Sequence, residues 1–305
     1  MKKRIAAAMC GLLFFALAPG VWADELLVGG QAVGIEIEAD GVLVSGFCEV
    51  DTPEGAVSPA REAGFAVGDL IVKMDGAEIR SAEDLIAAVA RLGGAESEME
   101  ILRGGKTQRL RVRPALSSSR QWLLGLWLRD GVSGIGTLTF IEPRSGVFGA
   151  LGHSVNDENS ACPVPLRAGQ LCAAEIVSVS PGVPGTPGEL CGGDTAERLG
   201  SVEKNTPAGI FGHVTAVPSG RLLQTGEMKT GRASIVSTLS GREAKEYDVE
   251  IDRVYSEGGQ THALLTVTDG ALSSASGGIV QGMSGSPIIQ DGSIVGAVTH
   301  VSVPT

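Results

Sequence analysis

Two short segments carry residues whose types and spacing can do chemistry. Residues 149–157 read Gly-Ala-Leu-Gly-His-Ser-Val-Asn-Asp, and residues 282–289 read Gly-Met-Ser-Gly-Ser-Pro-Ile-Ile. Acyl transfer to a serine needs a hydroxyl held on a tight turn, with flanking residues small enough for a substrate backbone to approach. It also needs backbone amides aimed at the developing oxyanion. The second segment has that make-up: Ser284 is the candidate nucleophile, and the amides of Gly282 and Ser284 are the candidate oxyanion donors. Ser286 is the other hydroxyl, but the pattern sets the nucleophile at Ser284. A serine is a weak nucleophile until an imidazole takes its proton and a third group orients that imidazole. His153, just after a strand-like run and a glycine, is the candidate base.

Alone, Gly-His reads as a turn and Gly-Met-Ser-Gly as a loop with a capping serine. Together, in the order His then Ser, they point to catalysis. His213, in Phe-Gly-His-Val, is the rival base. Its apolar neighbours suggest a strand, so it reads as structural, as do His262 and His300. The carboxylate is open between Asp157, four residues past His153, Asp269, fifteen before Ser284, and Asp194 in a glycine-rich loop.

The elements that must hold these residues look β-rich. Short apolar runs at 124–128, 136–140, 146–150, 175–179, 209–214 and 294–301, separated by turn residues, predict a barrel or sandwich over residues 116–305. A different pattern covers residues 30–114. Residues 32–38 alternate apolar and acidic, and residues 41–47 form a second strand. Ser58, Pro59 and Gly64 frame a short helix, Asp75-Gly76 marks a tight turn, and residues 81–92 form an amphipathic helix. Residues 98–102 and 108–112 complete the unit as strands.

The chain has 305 residues, 43% of them hydrophobic and 19% charged, enough for packed cores. Its net charge of −11 argues against nucleic acid as a partner, since phosphate binding needs a basic surface. No Cys/His spacing supports a zinc site, and serine acyl transfer needs no metal or cofactor. Lys2, Lys3 and Arg4 precede an apolar run over 5–17 and a small-residue site ending at Ala23. Residues 1–23 therefore read as a signal peptide cleaved after Ala23, or as an uncleaved membrane anchor. Beyond them lie Cys48, Cys162, Cys172 and Cys191. Export permits a disulfide, with Cys162–Cys172 the preferred pairing, and buried free thiols are the alternative.

The run SPAREAGFAVGDLIVKMDGAEIRSAEDL (58–85) resembles the core of a bacterial PDZ domain. That resemblance implies capture of peptide termini on a sheet edge beside the second helix. It places the carboxylate-binding loop around residues 29–34, including Gly30 and Gly34, with Ile35 and Ile37 lining the groove.

GIGTLTFIEPRSGVFGALGHSVND (134–157) and GGIVQGMSGSPIIQDGSIVGAVTHV (277–301) are very similar to the stage IV sporulation protein B family of PDZ-bearing serine peptidases. GSVEKNTPAGIFG (200–212) and PGTPGELCG (184–192) match as well. The resemblance implies a chymotrypsin-like double β-barrel with the triad His153, Asp269 and Ser284. It implies export into the intermembrane space between forespore and mother cell, self-processing near the N-terminus, and membrane proximity. The implied substrate is the extracytoplasmic part of a membrane regulator in the signalling that activates the late mother-cell sigma factor. Family members run on past GAVTHV with another strand, so a barrel ending at residue 305 is expected to be one strand short, with an exposed edge. A catalytically silent PDZ scaffold and a degradative quality-control protease are the competing readings. Proteases of the latter kind usually place the PDZ domain after the catalytic one.

Overall fold

The computed structural model describes residues 7–11, 25–156, 162–183 and 185–302. The chain is mainly β, with 59% strand and 8% helix. It divides into two compact units. One comprises Ile37–Val132 and Asn156–Ala168, and the other comprises Met1–Glu36, Ser133–Val155 and Gly169–Thr305.

The strands and helices used below are β1 (Ala7–Gly11), β2 (Leu26–Val28), β3 (Ala32–Phe47), α1 (Pro59–Glu62), β4 (Leu70–Met74), α2 (Ala82–Leu92), β5 (Ser97–Arg103) and β6 (Lys106–Val112). They continue as β7 (Leu126–Ile141), β8 (Val147–Ala150), β9 (Leu166–Ser180), β10 (Glu189–Thr206), β11 (Gly209–Val214), β12 (Gly231–Ser237), β13 (Lys245–Glu257) and β14 (Gln260–Val267). The last are α3 (Gly270–Ser276), β15 (Pro287–Gln290) and β16 (Ser293–Ser302).

In the unit around Ile37–Val132, β3 pairs with β4, β4 with β5 and β5 with β6, all antiparallel. Asp75 and Gly76, with φ of 49° and 81°, make the tight turn after β4, as the Asp-Gly pair predicts. Helix α2 starts where Ser81 Oγ accepts the Asp84 amide at 3.1 Å. It stops at Gly93, whose φ of 62° suits glycine. Its Leu85 and Val89 pack on Val42, Val44, Ile71, Met99 and Ile101, which is the core this pattern requires. Ser58 makes no capping bond to α1, which owes its start to Pro59.

One buried charge ties this unit together. Asp69 is fully buried and takes a two-pronged bond from Arg103, Nε to Oδ1 at 2.6 Å and Nη2 to Oδ2 at 2.7 Å. Arg103 also donates to the Gly64 carbonyl, and the Ala66 amide donates to Asp69. The bond to Asp69 raises the Arg103 pKa against the opposing effect of burial.

The second unit has two β layers. In one, β8 lies between β7 and β11, β11 pairs with β10, and β10 with β9. The other is a closed barrel in the order β1, β14, β13, β12, β15, β16. The expected gap is filled: Ala8 pairs with Leu265 on one side and Val301 on the other, so part of the apolar N-terminal run closes the barrel. The rest of residues 1–23 lies outside the described residues. No helix among the described residues is long and apolar enough to cross a membrane. Ile235, Val249, Ile251, Leu265, Met283, Ile288 and Val298 form the barrel core.

The unit boundaries depart from the expected 30–114 and 116–305. Residues up to Glu36 join the second unit because their backbone is bonded there, Gly29 to Thr139 and Gly30 to Leu138. The expected Cys162–Cys172 bridge does not form, and Cys48, Cys162, Cys172 and Cys191 are in no disulfide among the described residues. In the β9–β10 ladder Cys172 stands opposite Arg198 and Cys191 opposite Ser178, so neither meets a thiol. Burial, then the charges of Glu36 and Asp194, push the Cys172 thiol up.

Arg103→Ala leaves the Asp69 carboxylate buried without its cation. We expect a loss of about 2–3 kcal/mol, at the low end for a broken buried pair because Arg103 is itself part-exposed. Urea unfolding of the wild-type and variant chains, followed by circular dichroism, measures it.

Candidate active site

The loop over residues 280–286 turns tightly on its own backbone. The Met283 amide donates to the Val280 carbonyl and the Ser286 amide to the Met283 carbonyl. Gly282 and Gly285 have φ of 92° and 95°, values an L side chain rarely adopts. Met283 is fully buried and anchors the loop in the barrel core.

Strand β7 pins the loop from the other side. The Thr137 amide donates to the Ser284 carbonyl at 2.9 Å, and its hydroxyl to the Gly282 carbonyl at 2.9 Å. The Thr139 hydroxyl donates to the Gly285 carbonyl at 2.8 Å. Thr137 and Thr139 share a face of β7 by the two-residue period of a strand. Leu138, between them, lines a cavity of about 310 Å³ with Leu27, Gly29, Gln31, Arg221 and Glu246. None of the candidate catalytic residues lines it.

The amides of Gly282 and Ser284 donate to nothing among the described residues, as an oxyanion site requires. Ser284 is half-buried, and its Oγ donates to the Thr299 carbonyl at 2.9 Å. Ser286, the other hydroxyl of the motif, is fully buried, and its Oγ has no partner among the described residues. Residues 188–190 flank this loop: the Leu190 amide donates to the Gln281 carbonyl and the Gln281 amide to the Gly188 carbonyl.

His153 follows β8 on a second strained turn. Leu151 is buried with φ of 66°, a costly conformation of about 1–3 kcal/mol for a branched residue. Its amide donates to the Thr137 carbonyl at 3.2 Å. Asn205 in β10 clamps the other end, accepting the Val155 amide at 2.9 Å and donating to the Val155 carbonyl at 2.8 Å. The matched stretch 200–212 thus holds the histidine loop.

The histidine and serine loops converge on residues 297–300. A β carbon at Gly152 would lie 2.9 Å from Thr299 Cγ2, and one at Gly285 would lie 2.5 Å from the Leu151 amide nitrogen. The His153 ring lies 5.3 Å from the His300 ring, centroid to centroid, tilted by 38°. His300, expected to be structural, therefore stands at the site. It keeps solvent exposure, yet burial of the ring and then the charge of His153 lower its pKa. Only the return of β16 past the serine loop places it there, and no local motif marks that.

His153 Nδ1 is 2.9 Å from the Ser154 carbonyl oxygen. A carbonyl only accepts, so Nδ1 carries the proton, and in the neutral form of the ring the lone pair is then on Nε2. That is the tautomer a general base needs. Asp269 is used elsewhere: its Oδ1 accepts the Ala271 and Leu272 amides at 2.8 and 2.9 Å and so caps α3. No hydrogen bond joins Asp269 to His153, or His153 to Ser284. Asp157 lies outside the described residues, Asp194 is exposed, and His213 is paired with Glu203 at 2.8 Å.

The residues expected to bind a peptide terminus do not form an open cradle. The Gly30 amide donates to the Leu138 carbonyl at 2.7 Å and its carbonyl accepts the Thr238 hydroxyl. A β carbon at Gly30 or Gly34 would lie 2.5 Å from Val236 or Asp194 respectively. Ile35 and Ile37 are 3% and 2% exposed. Backbone amides already bonded and side chains already buried cannot receive a carboxylate.

Ser286→Ala removes an unpartnered buried hydroxyl and should leave stability and serine reactivity unchanged or slightly improved. Gly285→Ala would set a methyl 2.1 Å from the Thr137 carbonyl oxygen, and should abolish reactivity in a chain that still folds elsewhere. Thermal melts and serine labelling of the two variants check both outcomes.

Residues 120–305 match the SpoIVB peptidase S55 family and residues 55–113 a PDZ domain. Among solved structures, the PDZ domain of the SdrC-like protein from Listeria monocytogenes is similar at 20% identity and a TM-score of 0.24. The similarity covers 30% of this chain and 90% of that one. A search of the curated proteins gives no match. The glycine-framed serine loop, the histidine loop beside it and the extent of the family match lead to one assignment: the chain belongs to the SpoIVB peptidase S55 family, serine peptidases, and carries a PDZ domain.

Proposed function

We propose that the chain is an exported endopeptidase that cuts the extracytoplasmic part of a membrane regulatory protein in sporulation signalling, and processes itself near its N-terminus. Its setting is the space between forespore and mother-cell membranes. Ser284 attacks the scissile carbonyl, His153 Nε2 takes the hydroxyl proton and returns it to the leaving amine, and the amides of Gly282 and Ser284 hold the oxyanion. The observation that carries this reading is the pair of unspent amides flanking a half-buried serine hydroxyl, beside an imidazole in the base tautomer. The missing His153–Ser284 bond is compatible with it, because such bonds are often long in a free enzyme and tighten with substrate.

Asp269 is proposed as the third member, by family resemblance. Its present bonds favour a second reading, in which the Ser154 carbonyl alone orients His153 and Asp269 only caps α3. Those bonds are also what a catalytically silent PDZ scaffold would show.

The test is labelling of the purified chain with a fluorophosphonate and mass mapping of the adduct. We expect adduct on Ser284 that is lost in Ser284→Ala and in His153→Ala; a folded wild-type chain that takes no label would support the scaffold. The same assay separates the two roles of Asp269. As a triad member, Asp269→Ala slows labelling by roughly 10⁴-fold. As a cap alone, it costs about 1 kcal/mol of stability and leaves the labelling rate within a few-fold of wild type.

A further inference from the structure

Residues 126–132, the first part of β7, belong to the PDZ unit, and they lie along β3. A β carbon at Gly46 would meet Trp127 Cδ1 at 3.2 Å, and one at Gly131 would lie 2.0 Å from the Ile37 carbonyl oxygen. The two strands therefore run antiparallel with backbones in close approach. Side chains alternate as on a bound strand: Leu126 and Leu128 pack on the core built by Val42, Val44, Leu85 and Val89, while Trp127 is 62% exposed. The far end reaches helix α2, where Asp130 Oδ1 accepts the Ala82 amide at 2.6 Å. A PDZ domain takes a peptide as an added strand on a sheet edge. Here that kind of contact is already made by the chain itself.

The same strand continues without a break into residues 133–141, where Thr137 and Thr139 supply the bonds that pin the Ser284 loop. We infer that residues 126–132 occupy in cis the sheet edge that this PDZ domain offers to an extended peptide, and that Thr137, on the same strand, is a positioning residue for the nucleophile loop. A peptide competing for the edge must displace the front of the strand that holds the serine at its back. The second half of this inference rests on the assignment of Ser284 as nucleophile.

Two measurements on the full chain test it. The first is fluorescence anisotropy of a labelled synthetic peptide with the sequence of residues 124–132. Gly131→Val would drive a side chain into the Ile37 carbonyl and loosen the cis strand, so the peptide should bind that variant roughly tenfold more tightly than wild type. Asp130→Ala, which removes only a contact of an exposed side chain, should shift affinity in the same direction by less. Equal affinity for wild type and both variants would overturn the cis occupancy.

The second is the concentration dependence of fluorophosphonate labelling. Thr137→Val should lower the maximal labelling rate roughly 100-fold with little change in half-saturating concentration, and Thr137→Ser should restore it. A purely structural role would lower the melting temperature and leave the maximal rate of the folded fraction intact, which would refute the positioning role. No label on the wild-type chain would sink the nucleophile assignment itself, and the peptide measurement would still decide the place of the strand.

Discussion

At Gly285 the serine loop is pressed against β7 so closely that a β carbon would sit 2.1 Å from the Thr137 carbonyl oxygen and 2.5 Å from the Leu151 amide nitrogen. That approach brings three segments to one place: the loop with Ser284, the strand with Thr137, and the strained turn ahead of His153. Each is held by backbone bonds to the others, Thr137 to Ser284 and Leu151 to Thr137. A site built this way keeps its geometry through backbone bonds, reinforced by the short Thr137 and Thr139 hydroxyls and the Asn205 amide. Glycine at 282 and 285, and the forced conformation of Leu151, are the local costs of that rigidity.

The electrostatics of the site are made mostly by uncharged groups. A backbone carbonyl accepts from His153 Nδ1, and the amides of Gly282 and Ser284, the proposed oxyanion donors, have no acceptor among the described residues. The neighbouring imidazole, His300, is held toward its neutral form by burial and by His153. Asp269, which in a triad would stabilise the charge His153 gains as a base, instead has its Oδ1 bonded to the first amides of α3.

The PDZ unit obeys a different constraint. Its core is assembled from β3, β4, β5 and α2 around the buried Asp69–Arg103 pair, and residues 122–128 complete its apolar surface. Trp122 packs against the glycine pair after α2, where a β carbon at Gly94 would lie 2.3 Å from its ring. The segment following the PDZ motif is therefore part of the PDZ core, although its sequence reads as the opening strand of the next domain. The apolar residues that suggested a barrel strand at 124–128 are satisfied by a different partner.

Local chemistry determined much of this protein in advance. The Asp-Gly turn, the Ser81 cap, the periodicity of α2 and the glycine-framed serine each depend on neighbours within a few residues, so each was legible in the sequence. The motifs around His153 and Ser284 each pointed to the same chemistry through their residue types and order, and their loops meet at residues 297–300. What the tertiary structure alone decided is set by contacts far apart in the chain. Long-range backbone pairing absorbed Gly30, Gly34, Ile35 and Ile37 into buried structure and brought Ala7–Gly11 into the barrel. It also stood His300 beside His153 and turned Asp269 toward a helix end. A glycine-rich loop or an alternating strand looks the same in sequence whether its amides face a ligand or another strand, because hydrogen-bond partners more than a hundred residues away make that choice.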